Sequence, residues 1–373
     1  MNVMIPEGIS GKVLVIGEYF NDSAHGGIAA VLRYYRPYFQ TFRFIASHRS
    51  SRFVDKLRYD LGGLLKMSAM LLWNRLSGGD IRIVHIHTAA GGSFRNHQYY
   101  AMMARLLGCK VILHSHASSF ESWFAAAGRK RKSILRTLNR VDRLIVLSNS
   151  WKRWFIGIGV SDAGGRITVL NNITEPPAGH FVKPAKGTGP REFLFLGEIG
   201  HRKGIFDVLD AIDCHRACLD GKMLLRIGGN REVQRLLDEI DNKNLSSMVR
   251  YEGFVSGGRK AELLLRSDAL ILTSYNEGLP ISILEAMSYG NAIISTPVGG
   301  IPEVVDSSNG ILVPPGDKDA IFNALERIVS MPAGELEAMG NASRRKVEPF
   351  YPEHVMSRLS DIYTSLLHDA GKH

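Results

Sequence analysis

Residues 276–287, Asn-Glu-Gly-Leu-Pro-Ile-Ser-Ile-Leu-Glu-Ala-Met, hold the chain's densest chemical signal: Glu277 and Glu285 flank a Gly-Leu-Pro turn just after the apolar run 269–272. This order of residues predicts a buried strand, a tight turn and a helix opening at Pro280, because proline is tolerated where the first helical N–H lacks a partner anyway. The unpaired amides of a helix's first turn converge on one spot and favour negative charge there. A carboxylate is a poor phosphate ligand but a good acceptor for sugar hydroxyls. Two acids around an anion cradle therefore suggest a sugar-nucleotide site. The same residues also fit an ordinary strand–turn–helix whose glutamate only complements the helix dipole.

Such a turn needs a sheet to hold it. Apolar segments of strand length at 12–16, 81–87, 111–113, 144–147 and 167–170 alternate with helix-length segments, and a second series runs through 193–196, 224–227, 249–251, 269–272, 292–295 and 311–313. That alternation predicts an α/β fold with two parallel, doubly wound sheets in tandem. At 373 residues the chain is longer than one core usually grows, so two domains are expected. Between Asn172 and Pro190 the density of proline and glycine marks a linker.

Other candidate groups lie at predicted strand ends, where open α/β sheets keep their sites. His25-Gly26-Gly27 follows the first strand, and glycines there let a ligand approach the backbone. This is not the Gly-x-Gly-x-x-Gly dinucleotide fingerprint. His85 and His87 fall on one strand face, and His114-Ser115-His116 ends the next strand. The segment 92–96, with Ser93 and Arg95, is basic and polar and is the candidate acceptor contact, together with His87; an ordinary glycine-rich turn explains it equally. Asp317-Lys318-Asp319 spells a metal-binding Asp-x-Asp, but it opens a helix, and capping is the plainer reading. Cys214 and Cys218 with His215 supply too few ligands for a metal, and no metal is expected.

Charge is unevenly spread. Residues 1–180 hold 24 Lys and Arg against 10 Asp and Glu (+14), whereas residues 181–373 hold 22 against 26 (−4). A basic first half points to an anionic partner. No aromatic-interleaved basic motif supports nucleic acid, so an anionic membrane surface is the better match. The basic runs at 129–143 around Ile134, Leu135 and Leu138 are the better candidate for that contact, with a solvated helix face as the default; the apolar stripe of 61–76 is read as a core-facing helix in preference to an interfacial one. Three cysteines and a polar N-terminus lead us to expect a reducing, cytoplasmic setting, peripheral at the inner face of the cell membrane.

The order and spacing of Gly26-Gly27, Arg202-Lys203-Gly204, Gly253-Phe254-Val255, the glutamate pair with Pro280, Ala286 and Gly290, and Val298-Gly299-Gly300-Ile301-Pro302-Glu303 resemble the retaining glycosyltransferases of family 4. The resemblance implies the GT-B fold: two Rossmann-like domains facing across a cleft. Residues 1–173, joined by a C-terminal helix at 350–373, would bind the acceptor, and 190–348 would bind the nucleotide-sugar. It further implies a UDP- or GDP-linked donor, and a glycan or polyprenyl-linked acceptor in surface polysaccharide synthesis, with no metal or other cofactor.

Carried over by position, His116, Glu277 and Lys203 look catalytic. Gly26, Gly27, Arg202, Lys203, Phe254, Val255, Glu277, Gly278, Leu279, Pro280 and Glu285 look donor-binding. Glu285 would accept from the ribose, Glu277 from the donor sugar, and His116 would stand beside that sugar. Where the family often has arginine after a glycine, this chain has Glu198, so Arg202 would have to supply the missing charge. No carboxylate of the first half stands out for a double displacement, so a same-face substitution is the expected course. The rival readings are a nucleotide-sugar epimerase or other GT-B enzyme, or a basic membrane-surface protein without catalysis.

Overall fold

The structure, a computed structural model, describes residues 4–20, 26–48, 53–178, 183 and 189–370. His25 and most of the predicted linker, 179–182 and 184–188, lie outside the described residues. The chain divides into two compact units: residues 1–173 with 352–373, and residues 174–351.

The first unit is built on β1 (Val13–Glu18), β2 (Arg43–His48), β3 (Ile83–Thr88), β4 (Lys110–Ser115), β5 (Arg143–Val146) and β6 (Ile167–Val169). They form one parallel sheet in the order β2-β1-β3-β4-β5-β6. Near-continuous apolar runs such as Val13–Ile16 suit strands covered on both faces. Helices α1 (Gly27–Tyr35), α2 (Phe53–Leu76), α3 (Gly92–Leu106) and α4 (Arg131–Leu138) follow successive strands. Met67 and Leu71 of α2, Phe94 and Tyr100 of α3, and Ile134 and Leu138 of α4 share one core with Ile16, Ile86 and Leu113 of the sheet.

The second unit repeats the plan with β7 (Arg191–Leu196), β8 (Met223–Gly228), β9 (Val249–Tyr251), β10 (Ala269–Leu272), β11 (Ala292–Ser295) and β12 (Gly310–Leu312). Their order is β12-β11-β10-β7-β8-β9, again all parallel. Its helices include α5 (Ile205–Cys214), α6 (Gly257–Arg266), α7 (Ile281–Ser288) and α8 (Lys318–Ser330); α9 (Pro352–Ala370) returns to the first unit. The direction in which successive strands are added reverses between β1 and β3 in one sheet and between β7 and β10 in the other. Open α/β sheets keep their sites beside the loops that leave the carboxyl ends of the strands at such a switch point.

One expectation about surface helices is overturned and another is met only in part. The apolar residues of the basic run 129–143 belong to the core: Ile134 and Leu138 are buried and Leu135 packs against them. The helix read as core-facing does send Met67 and Leu71 into the core, but the stripe is only half of it: Leu61, Leu65 and Leu72 are exposed on the other face. Residues 317–319 do cap a helix, since the Asp317 carboxylate accepts from the Ala320 amide at 2.9 Å.

Candidate active site

In the second unit the two loops at the switch point meet. The loop after β7 turns through Gly200 into a short 3-10 segment, His201–Lys203, and ends at Gly204 in the left-handed region. The loop after β10 carries residues 273–280 into α7. Lys203 Nζ donates to Glu277 Oε1 at 2.5 Å, and the Ser274 hydroxyl donates to the same oxygen at 2.7 Å. Arg202 Nη1 stands 3.8 Å from that carboxylate, and its Nη2 stands 3.5 Å from Glu198. Glu198 also draws Arg231, at 3.7 Å. The expected substitution of Arg202 for a family arginine is thus qualified: its charge is shared between two carboxylates. Glu198, Glu277, Arg202, Lys203 and Arg231 together leave this cluster one positive charge in excess.

Helix α7 opens beside the pair. Its N-cap, Pro280, is extended, and the first intrahelical acceptor serves Ile283 and Leu284, so the half-buried Ile281 and Ser282 stand at the amide-bearing tip. Glu285 is buried in the second turn, where Lys260 of α6 donates to it at 2.5 Å. Val255 is buried and its neighbour Phe254 is half exposed, presenting a ring to solvent at the end of the β9 loop. The sequence reading named Glu277, Lys203 and Glu285 but missed Ser274 and Lys260. Ser274 was legible as a hydroxyl three residues before the glutamate; Lys260 was not, because helix α6 offers several cations of equal standing.

Glycine holds this turn in place. Gly299 has φ +57°, and a Cβ there would lie 2.0 Å from the Glu277 carbonyl oxygen. The next amide, Gly300, donates to the Gly278 carbonyl at 2.7 Å. Gly299→Ala must therefore displace the 277–278 backbone. We expect a loss of about 2–4 kcal/mol in the second unit, from strained φ plus the clash, read as a lower Tm. Gly258→Ala, whose Cβ meets nothing within 4 Å, is the control and should not lower Tm. Equal Tm values for the two variants would refute the packing argument.

In the first unit, four histidines, His85 and His87 of β3, His114 of β4 and His116 just past its end, form a stack. The parallel register sets His87 opposite His114, and His85 lies two residues back on the same face. His85 Nδ1 is 2.7 Å from the Tyr363 hydroxyl of α9, and His85 Nε2 is 3.3 Å from His114 Nδ1. His87 Nδ1 is 2.9 Å from His116 Nε2. His85, His87 and His114 are fully buried. Burial, reinforced by neighbouring histidines, holds His85 at about 3 and pushes His87 and His114 well below their ordinary value. Burial likewise lowers His116 to about 3. All four are therefore neutral near pH 7.

The nitrogens of His85, His87 and His114 come within 4.8 Å of one another, a spacing that invites a metal. The rings, however, are stacked, at 28° for His85–His87 and 7° for His85–His114. His85 Nε2 and His114 Nδ1 are already turned on each other across 3.3 Å, and His87 Nδ1 on His116, so these nitrogens share protons with neighbouring rings instead of facing one common point. Nε2 of His87 and of His114 has no hydrogen-bond partner. A bare lone pair is the cheaper orphan than a bare N–H. On that tautomer assignment His87 carries its proton on Nδ1 and donates to His116 Nε2, leaving His116 with an Nδ1–H to donate. His87 was expected to meet the acceptor; it is enclosed, and its side-chain partner is His116 at 2.9 Å.

Gly26 and Gly27 open α1, with Gly26 so close to Glu18 that a Cβ would sit 2.8 Å from its carboxylate. Arg95 is exposed on α3, and the Ser93 hydroxyl accepts from the Ala89 amide at 3.1 Å, tying the β3 loop to the helix start. A cavity of about 210 Å³ opens at this switch point, lined by Glu18, Ser47, Asp60, Ser93, Asn96 and His97. Glu18 escaped the sequence reading because it is the last residue of β1, within a strand whose apolar pattern ends two residues earlier.

Two family models match the chain: "Glycosyl transferases group 1" over residues 179–346 and "Glycosyltransferase Family 4" over residues 25–176. Among curated relatives, the N-acetyl-alpha-D-glucosaminyl L-malate synthase of Bacillus anthracis is 34% identical over 170 residues, 45% of this chain and 43% of that protein. A glycogen synthase of Mycobacterium tuberculosis is 25% identical over 198 residues, 53% of this chain and 48% of that protein. The chain spans about half the length of the curated relatives it matches. Among solved structures, sucrose-phosphate synthase from Thermosynechococcus elongatus superposes with a TM-score of 0.75 at 17% identity, covering 96% of this chain and all of that one. Anabaena HepE in complex with UDP gives 0.73 at 14% identity, covering 95% of this chain and 100% of that one. The fold is GT-B, with two parallel six-stranded sheets, and the chain belongs to the group 1, family 4 glycosyltransferases.

Proposed function

We propose that this protein transfers a sugar, with retention at the anomeric carbon and without a metal, from a UDP- or GDP-linked donor to a glycan or lipid-linked acceptor. The observation that carries the reading is the Lys203–Glu277 pair, set by two loops of one switch point beside the tip of α7. Breaking the anomeric C–O bond leaves negative charge on a nucleoside diphosphate and positive charge on the sugar. Lys203 and the amides of Ile281 and Ser282 would stabilise the first, because preorganised donors aimed at developing charge are the strongest catalytic lever. Glu277 would accept from a donor-sugar hydroxyl, Glu285 from the ribose, and Phe254 would cover the base. His116, neutral and donating from Nδ1, would orient the donor sugar, and the departing phosphate oxygen would take the acceptor's proton.

On the acceptor side, Glu18 and Asp60 give the cavity of the first unit two carboxylates suited to sugar hydroxyls. A role in surface polysaccharide synthesis at the inner face of the cell membrane is supported by the basic first half and by a relative named as a putative colanic acid biosynthesis glycosyltransferase in Escherichia coli, 28% identical over 186 residues, 47% of this chain and 45% of that protein. A thermal-shift panel of UDP, GDP and their sugars tests the donor. A ligand at 100 times its Kd stabilises by about 2.7 kcal/mol, so the right nucleotide should raise Tm by several degrees. A panel in which no nucleoside diphosphate moves Tm sinks the reading. Product NMR then reads the anomeric configuration.

A further inference from the structure

We propose that the outward face of α2 and α3 docks on an anionic lipid bilayer. The exposed large apolar side chains of the described residues are concentrated there. Leu61, Leu65, Leu72, Trp73 and Leu76 of α2 and Tyr99, Met102 and Leu106 of α3 are each about half or more exposed, Trp73 at 72% and Leu76 at 74%. At 100° per residue, Leu61, Leu65, Leu72 and Leu76 fall within one narrow stripe of α2, and Tyr99, Met102 and Leu106 within one stripe of α3. The opposite faces of both helices feed one core, through Met67 and Leu71 and through Phe94 and Tyr100. The two helices touch, since the Tyr100 hydroxyl donates to the Asp60 carbonyl at 2.9 Å. Both stripes therefore point away from the same side of the sheet, on neighbouring helices.

Charge selects the occupant. Apart from Asp80, no acidic residue occurs between positions 61 and 120. Asp80 is already engaged by Lys12 and Arg82, at 3.7 and 3.8 Å. Lys66, Arg75 and Arg95 are exposed on the same two helices; Arg105 is tied to Asp142 at 3.0 Å. Helices α2 and α3 together carry Lys56, Arg58, Lys66, Arg75, Arg95 and Arg105 against Asp55 and Asp60, and an apolar stripe with an aromatic at its edge and cations in excess is the pattern of a surface that lies in the headgroup region of a negatively charged leaflet. No described helix is long and apolar enough to cross a membrane, so the contact is one of lying on the bilayer. A protein partner or a second copy would leave these cations without a reason.

The test is co-sedimentation of the full chain with phosphatidylcholine vesicles, with and without about 30 mol% phosphatidylglycerol. We expect binding to the anionic vesicles that weakens with salt, and a blue shift of tryptophan emission that Trp73→Phe removes. Leu65→Gln, Leu72→Gln and Leu76→Gln combined should weaken binding at least about tenfold, and Lys66→Gln with Arg75→Gln about tenfold on anionic vesicles. These side chains are exposed, so circular dichroism and the nucleotide-dependent Tm shift should match the parent, which separates this proposal from the donor-site reading. Undiminished binding by the triple glutamine variant overturns it. So does a parent dimer, seen by light scattering, that the same variant converts to monomer.

Discussion

Glu277→Gln should lower kcat by about a hundredfold or more while leaving the Kd for the nucleoside diphosphate within about threefold. The amide is nearly isosteric, so it can keep the hydrogen bonds from Ser274 and Lys203 to one oxygen. What it removes is charge. Lys203 loses the anion it now shares at 2.5 Å, and Arg202 loses one of its two carboxylates. A more strongly positive cluster does not weaken its hold on a diphosphate, which is why affinity should not fall. The sugar hydroxyl, by contrast, loses a charged acceptor in a site where Glu277 is only 6% exposed, and a charge-assisted bond in such surroundings is about twice as strong as a neutral one. The cost should therefore appear in the chemical step. The alternative is that Glu277 merely neutralises Lys203. It predicts tighter diphosphate binding with kcat within about tenfold of the parent, and that pair of numbers would reject a sugar contact. Removing one partner of a buried pair also costs stability, on the order of 3–5 kcal/mol for a full charge, so rates must be taken below the variant's melting range.

How far the sequence carried the reading depended on where its signals came from. Strands buried on both faces were legible as unbroken apolar runs; Ala269–Leu272 and Ala292–Ser295 match the expected bounds. Edge strand β2 was not, because Arg43-Phe44-Ile45-Ala46-Ser47-His48 has only three consecutive apolar residues and pairs along one side with β1. Glu277 and Lys203 could be singled out separately, but not their salt bridge. It arises because β7 and β10 are neighbours although 72 residues of chain separate Leu196 from Ala269, a fact of topology and not of local pattern. The α2 stripe was visible as a period in the sequence. Which way it faced was not, since α2 carries apolar residues on both arcs: Met67 and Leu71 toward the sheet, Leu65 and Leu72 away from it. The histidine stack was half legible. The alternation of His85 with His87 placed that pair on one strand face, and His114 and His116 were placed at the end of the next strand, but only the register of β3 on β4 brings the pairs together.

That stack should make the first unit fail in acid before the second. His85, His87, His114 and His116 all have folded-state values below the ordinary 6.5, because burial disfavours the charged ring. The unfolded chain therefore binds more protons than the folded one once pH drops below about 6.5. Stability is complete above that value and is lost progressively as pH falls toward the folded values, about 3 for His85 and His116. Each histidine contributes a limiting slope of about 1.4 kcal/mol per pH unit. His116 is half-buried and counts for less; three enclosed rings still give about 4 kcal/mol per unit, against a whole-domain stability of roughly 5–15 kcal/mol.

The second unit is protected over the same range. Its depressed groups are carboxylates. Lys346 and Ser308 hold Asp306 down to about 2. Burial pushes Glu192 up, but hydrogen bonds from Arg266 and Arg226 outweigh it and the net shift is downward. Such groups lose their contribution only as pH falls below the ordinary carboxylate range near 4. Acid titration followed by tryptophan emission, all four tryptophans lying in the first unit, should show a transition between about pH 4 and 6, while circular dichroism retains the second unit's helices to lower pH. Replacing His114 by asparagine should flatten the first transition by about one proton. A first unit that stays folded to pH 4, or an unchanged proton count in the variant, would show that the stack is hydrated or charged in the native protein.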